Sequence, residues 1–128
     1  MAQTVSAVID GRPAPDAPAG QFSSTNPAQL DDVVADVALG DAALLVTAAR
    51  AARQAQRAWA AVPAPVRGRA IATIGRLVEA NKEGLARLVS REIGKPYPEA
   101  LGEVQEIIDT CDFFLGEGKL ASAQGGRC

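Results

Sequence analysis

Residues 41–63 read DAALLVTAARAARQAQRAWAAVP. Leu45, Ala49, Ala52, Ala55 and Trp59 recur there at the period of one helix face. Arg50, Arg53, Gln54 and Arg57 fall on the other side, so the segment predicts an amphipathic helix with a solvated basic face. Gly40-Asp41 supplies a start signal, with Asp41 placed to accept from the first-turn amides as an N-cap. Pro63 and Pro65 end this helix and open the next.

Further along the chain the helical pattern persists. Val66, Ala70, Ile71, Ile74, Leu77 and Val78 predict the inner face of a second helix. Asn81 reads as the cap of a third, shorter helix with Leu85, Leu88 and Val89 inside, and Gly94 as its C-cap glycine. Pro96 and Pro98 suit the first turn of a fourth helix. Its apolar stripe is Tyr97, Leu101, Val104, Ile108, Cys111 and Leu115, and Gly116 and Gly118 predict its end. Lys119 to Cys128, small and polar without a period, predict a disordered tail.

Before residue 41 the signals are those of strand and turn. Val5 to Ile9 is β-prone, and Asp10-Gly11 is a turn signal. Residues 12–20 hold Pro13, Pro15 and Pro18 and predict an irregular loop. Gln21 to Thr25 reads as extended, Asn26-Pro27 as a turn, and Val33 to Ala38 as a short strand. The expected class is therefore mostly α with short N-terminal β-strands over 5–38 and helices over 41–118.

Composition narrows the function classes. The chain has 128 residues, 13 basic and 15 acidic, for a net charge of −2. That balance carries no basic footprint for nucleic acid. No apolar run is long enough for a membrane span, and the start lacks the basic-then-apolar pattern of a secretory signal. A cytoplasmic protein is expected. Histidine is absent, which removes Ser–His–Asp and Cys–His catalysis and the commonest metal ligand. Aromatics make up only 4% and alanine dominates the apolar content, so the expected core is thin and suited to packing on something larger.

Three motifs invite a chemical reading. Glu99, Glu103 and Glu106 share one helix face and could recognise a cationic group; the same stripe also reads as a solvated face opposite the apolar one. Gly94-Lys95-Pro96 pairs glycine with lysine, yet lacks the spaced glycine and the Ser/Thr of a phosphate loop, and reads as a helix C-cap and connector. Cys128 reads as an exposed terminal thiol, and Cys111, on the apolar stripe, as a small core residue.

The order of segments resembles the aldehyde dehydrogenase superfamily. Val8-Ile9-Asp10-Gly11 is similar to its opening strand and turn, and Ser24-Thr25-Asn26-Pro27-Ala28 to its Asn-Pro-Ala/Ser segment. Val37-Ala38-Leu39-Gly40-Asp41 follows. Ala48-Ala49-Arg50-Ala51-Ala52, then Trp59, Pro63, Arg67 and Arg69, look like its first two helices. Ser90-Arg91-Glu92-Ile93-Gly94-Lys95-Pro96 is similar to its Glu-x-Gly-Lys-Pro signature. The run from Glu99 to Asp112 looks most like the branch containing α-aminoadipic semialdehyde dehydrogenase (antiquitin).

The resemblance implies oxidation of an aldehyde or semialdehyde to its carboxylate, through a cysteine thiohemiacetal, with NAD or NADP as hydride acceptor. It also implies that these residues form part of the NAD-binding domain of an α/β fold. The family's catalytic cysteine, general base, oxyanion Asn and glycine-rich nucleotide loop match no position here. No catalytic or cofactor-binding residue is therefore assigned, and the chain alone is not expected to bind the nucleotide. What transfers is peripheral. Glu106 matches the Glu that recognises the amino end of the substrate. The backbone near Thr25 and the carboxylate of Glu92 match the structural monovalent-cation site, although the family often has Asp at the latter. After Gly118 the family pattern stops, which implies an N-terminal fragment over 1–118 and a non-family tail over 119–128. Such a fragment would be inactive alone. The alternatives are a helical interaction protein or a split-enzyme subunit docking on an intact aldehyde dehydrogenase.

Overall fold

The computed structural model describes residues 3–14, 16 and 18–123, with side chains through residue 116. The chain divides into two compact units, Met1–Trp59 with Arg91–Gly94, and Ala60–Ser90 with Lys95–Cys128.

The first unit holds five strands, β1 (Gln3–Val5), β2 (Ala7–Ile9), β3 (Arg12–Ala14), β4 (Gln21–Asn26) and β5 (Gln29–Ala38), and most of helix α1 (Ala42–Ala61). The expected Val5–Ile9 run is split. β1 joins β5 in parallel, in a sheet of order β1-β5-β4, while β2 pairs with β3 in a separate hairpin. The Asp10-Gly11 turn closes that hairpin, with φ of 52° and 71° at the two residues, the left-handed pair a tight two-residue connection needs. β3 corrects the expectation of loop throughout 12–20. Pro13 is tolerated in it because it faces Val8, one pair beyond the Ile9–Arg12 pair that flanks the turn. Pairs alternate in an antiparallel ladder, so that position requires no ladder N–H. β4 and β5 are joined through Pro27-Ala28, and the Ala28 amide donates to Asn26 Oδ1 at 3.0 Å, the turn expected at Asn26-Pro27.

Asp41 caps α1 as expected: its Oδ1 accepts from the Leu44 amide at 2.8 Å. The face of α1 differs from expectation. Its half-buried residues are Leu44, Ala48 and Ala51, one residue round the helix from the expected Leu45, Ala49 and Ala52, a turn of about 100°. Leu45 is 71% exposed and no residue of α1 is fully buried.

The second unit contains α2 (Ala64–Ala80), most of α3 (Lys82–Ile93) and α4 (Tyr97–Ala123). Its core is built from small residues. Ala86, Ala100 and Val104 form a buried cluster, flanked by Val78, Leu85, Val89, Tyr97 and Leu101. α2 turns Gly68, Ala72 and Gly75 inward against α4 rather than Val66, Ile74 and Leu77, which are exposed. A Cβ at Gly75 would stand 2.8 Å from that of Cys111, so the two helices approach as closely as a bare backbone allows. In α3, Leu88 is likewise exposed and Ala86 takes the inner place. The stripe expected on α4 holds: Val104, Ile108 and Cys111 are buried, and Tyr97, Leu101 and Leu115 are half-buried.

Two terminators behave differently from expectation. Asn81 accepts the Leu85 amide with its backbone carbonyl, but its side-chain amide turns back to donate to Leu77 O at 2.8 Å, so it closes α2. α4 runs through Gly116 and Gly118 to Ala123. Glycine inside a helix costs only about 1 kcal/mol relative to alanine, too little to stop a long helix by itself. Residues 124–128 of the expected tail, Cys128 among them, lie outside the described residues.

Candidate functional site

In the first unit, three groups converge beside the β4–β5 turn. Arg91, in the last turn of α3, donates from Nε to Asp32 Oδ2 at 2.8 Å, from Nη2 to Asp32 Oδ1, and from Nη2 to Val33 O at 3.0 Å. The Asn26 amide also donates to Asp32 Oδ2, at 3.2 Å. Hydrogen bonds from Arg91 first, then Asn26, hold the Asp32 carboxyl down at about 2, against an ordinary 3.8. The same contact raises the pKa of the Arg91 guanidinium. Gly94, with φ of 72°, packs so tightly on Pro27 that a Cβ there would lie 2.8 Å from Pro27 Cγ. Its left-handed backbone is the C-cap expected from the sequence.

This clamp sets the end of α3 beside the segment that carries Thr25. Thr25 lies in β4 opposite Val33, where the ladder register shifts on both sides of it. Such an irregularity leaves a residue without its ordinary ladder partner. Glu92 is exposed, next in sequence to Arg91 and two residues before Gly94. Thr25 and Glu92 thus belong to one compact unit, at the two strands of chain the clamp joins. Among the described residues no three His, Cys, Asp or Glu side chains group as a metal site. The clamp itself was not legible beforehand. Asp32 and Arg91 are 59 residues apart, and nothing local marks them as partners.

In the second unit the acidic face of α4 meets a cation. Lys95 Nζ donates to Glu103 Oε1, and the pKa of Lys95 is raised by that hydrogen bond first and by the charges of Glu103, Glu99 and Glu106 after it. The Glu99–Glu103–Glu106 stripe therefore does gather positive charge, and the group it gathers is the chain's own ammonium. The same contact explains Gly94-Lys95-Pro96 as a connector whose lysine is engaged. Glu106 is exposed on this face. Cys111 is buried against Gly75.

Residues 15–126 match the aldehyde dehydrogenase family. The chain belongs to that family. Aldehyde dehydrogenase family 7 member A1 of Pisum sativum is 48% identical to it over 67 residues, 52% of this chain and 13% of the pea protein. The α-aminoadipic semialdehyde dehydrogenase of Bos taurus is 44% identical over 69 residues, 54% of this chain and 13% of that protein. Among solved structures, the NAD-dependent aldehyde dehydrogenase of Sinorhizobium meliloti superposes with a TM-score of 0.80 at 26% identity. That superposition covers 96% of this chain and 24% of the enzyme. Lactaldehyde dehydrogenase of Escherichia coli shares the fold, with a TM-score of 0.87 at 24% identity, over 93% of this chain and 25% of that enzyme. The aldehyde dehydrogenase chain thus spans about a quarter of these structures.

The cavity at the start of α1 is lined by Val8, Ile9, Gly40, Asp41, Leu45 and Ala48 among others. It presents the Asp41 carboxylate, which accepts the Leu44 amide. No helix of the described residues is long and apolar enough to cross a membrane.

Proposed function

We propose that these residues serve an NAD(P)-dependent aldehyde dehydrogenase that oxidises a semialdehyde to its carboxylate, and that they serve it as scaffold and substrate rim, with no turnover of their own. The observation that carries this reading is the 44% identity to a semialdehyde dehydrogenase over 69 residues. The chemistry of the chain agrees with it. There is no histidine, and the thiol of Cys111 is packed inside the helix pair. Glu106 would meet the amino end of the substrate, on a face that attracts ammonium groups strongly enough to hold Lys95.

The test is a chimera in which this segment replaces its counterpart in the bovine enzyme. It should oxidise an amino-bearing semialdehyde with NAD, and Glu106→Gln should raise KM for that substrate while sparing one without the amino group. A folded chimera without turnover would refute the scaffold reading. Equal KM changes for both substrates would refute the role of Glu106. The chain alone should produce no NADH.

Thr25 and Glu92 are proposed to hold a monovalent cation at the clamped end of α3. Potassium chloride should then raise the Tm of the chimera more than choline chloride does, and Glu92→Gln should remove the difference.

A second reading has its own support. Leu45, Ile74 and Leu77 are 71%, 50% and 61% exposed, faces suited to docking on an intact dehydrogenase. Co-purification with a full-length family member would favour it; a chain that stays apart from that enzyme at high concentration would exclude it.

A further inference from the structure

α1 carries Arg50, Arg53 and Arg57 and no Asp or Glu anywhere between Ala42 and Ala61. The three arginines fall at i, i+3 and i+7, which places them along one side of the helix over about 10 Å. All three are exposed, and none enters a hydrogen bond or ion pair among the described residues. Three cations elsewhere are paired, Arg87 with Glu83, Arg91 with Asp32 and Lys95 with Glu103. The three arginines also border a common surface hollow. With Gln54 they line one cavity of about 410 Å³, in which every lining side chain is a hydrogen-bond donor and three are cations. Like charges that share a space repel one another unless something negative fills it.

We propose that this face of α1 is a binding site for a multivalent phosphate group. Guanidinium groups offer planar, paired N–H donors that match phosphate oxygens two at a time, and Gln54 adds a neutral donor beside them. A single carboxylate would satisfy one arginine and leave two uncompensated, so the ligand class is one with several oxyanions close together. The phosphate has two possible sources, a free pyrophosphate or polyphosphate, or the headgroups of an anionic lipid surface. For the second, the exposed side chains of Leu45 and Val46 lie on the same helix.

The experiment uses the full chain, titrated with inorganic pyrophosphate while amide shifts of α1 are followed, and separately mixed with phosphatidylglycerol or phosphatidylcholine vesicles. Saturable shifts confined to α1, weakened at least about tenfold in the Arg50→Gln, Arg53→Gln, Arg57→Gln triple variant, establish the site and free phosphate as its ligand. Binding only to phosphatidylglycerol vesicles, lost in the triple variant, establishes the site with headgroup phosphate as the source. Glutamine is a good helix former, so the variant keeps α1, which circular dichroism checks. The proposal is overturned if sodium chloride at equal ionic strength reproduces the shifts, if the triple variant binds as well as the parent, or if neither probe binds.

Discussion

Two glycines show how much of this chain's stability sits in the absence of a methyl group. Gly75 faces Cys111 across the α2–α4 contact with no room for a Cβ, whereas Gly102, on the open side of α4, has nothing within 4 Å of one. Alanine should therefore act oppositely at the two sites. At Gly75 the clash should cost about 1–3 kcal/mol and outweigh the gain in helix propensity. At Gly102 only the propensity gain of about 0.5–1 kcal/mol remains. Thermal melts followed by circular dichroism should show Tm falling for Gly75→Ala and rising for Gly102→Ala; two shifts of the same sign would show that the helices do not meet at Gly75. Asp32 is the other decisive residue. Its folded pKa of about 2 lies below the ordinary 3.8, so its contribution is fully present above 3.8 and disappears as pH falls through 2. Its carboxyl shift should titrate near pH 2, and Asp32→Asn should flatten that part of the stability profile. A midpoint near 4 would mean that the Arg91 clamp is not formed. Lys95 runs the other way. Its pKa is raised, so its pair with Glu103 stabilises below 10.5 and is lost only as pH climbs past the raised value.

At the level of elements, the helices were legible in the sequence and their inner faces were less so. Periodicity and punctuation placed α1 to α4, Asp41 capped as expected, and Gly94 took its left-handed turn. The inner faces differ from the periodic pattern where that pattern is set by large residues. In α2 the inner residues are Gly68, Ala72 and Gly75, because a close helix crossing selects for small side chains, and a hydrophobicity pattern gives those little weight. The acidic stripe of α4 was legible, but its partner Lys95 was not, since pairing across a connector leaves no periodic trace. The outward position of Ile74 and Leu77 makes a clear prediction. Replacing both by glutamine removes large apolar side chains that are 50% and 61% exposed, so the chain's own Tm should change by less than about 1 kcal/mol in equivalent stability. Aggregation should start at a higher temperature, as light scattering would show. A cooperative loss of helix in the double variant would mean that this face is covered within the chain after all.

For the whole molecule the telling contrast lies between the two units. The second has a contiguous buried cluster at Ala86, Ala100 and Val104, continued by Ile108 and Cys111 along α4. In the first, Val34 is the buried hydrophobic residue of the described set, and its order rests on the sheet ladders, the Pro27–Gly94 packing and the Arg91–Asp32 clamp. Amide exchange follows the free energy of the opening that exposes each group, and that free energy grows with the apolar surface the opening must uncover. The amides of Ala100 and Val104 should therefore exchange slowest, at least about tenfold more slowly than those of Val34 and its neighbours in β5. Acid should widen the gap, because protonating Asp32 releases a clamp in the first unit and touches nothing in the core of the second. Hydrogen exchange read residue by residue, near neutral pH and again near pH 2 after correction for intrinsic rates, would check both statements. Equal protection in β5 and α4 at both pH values would show that the units unfold together. The small second-unit core would then not be the structure that sets the stability of the chain.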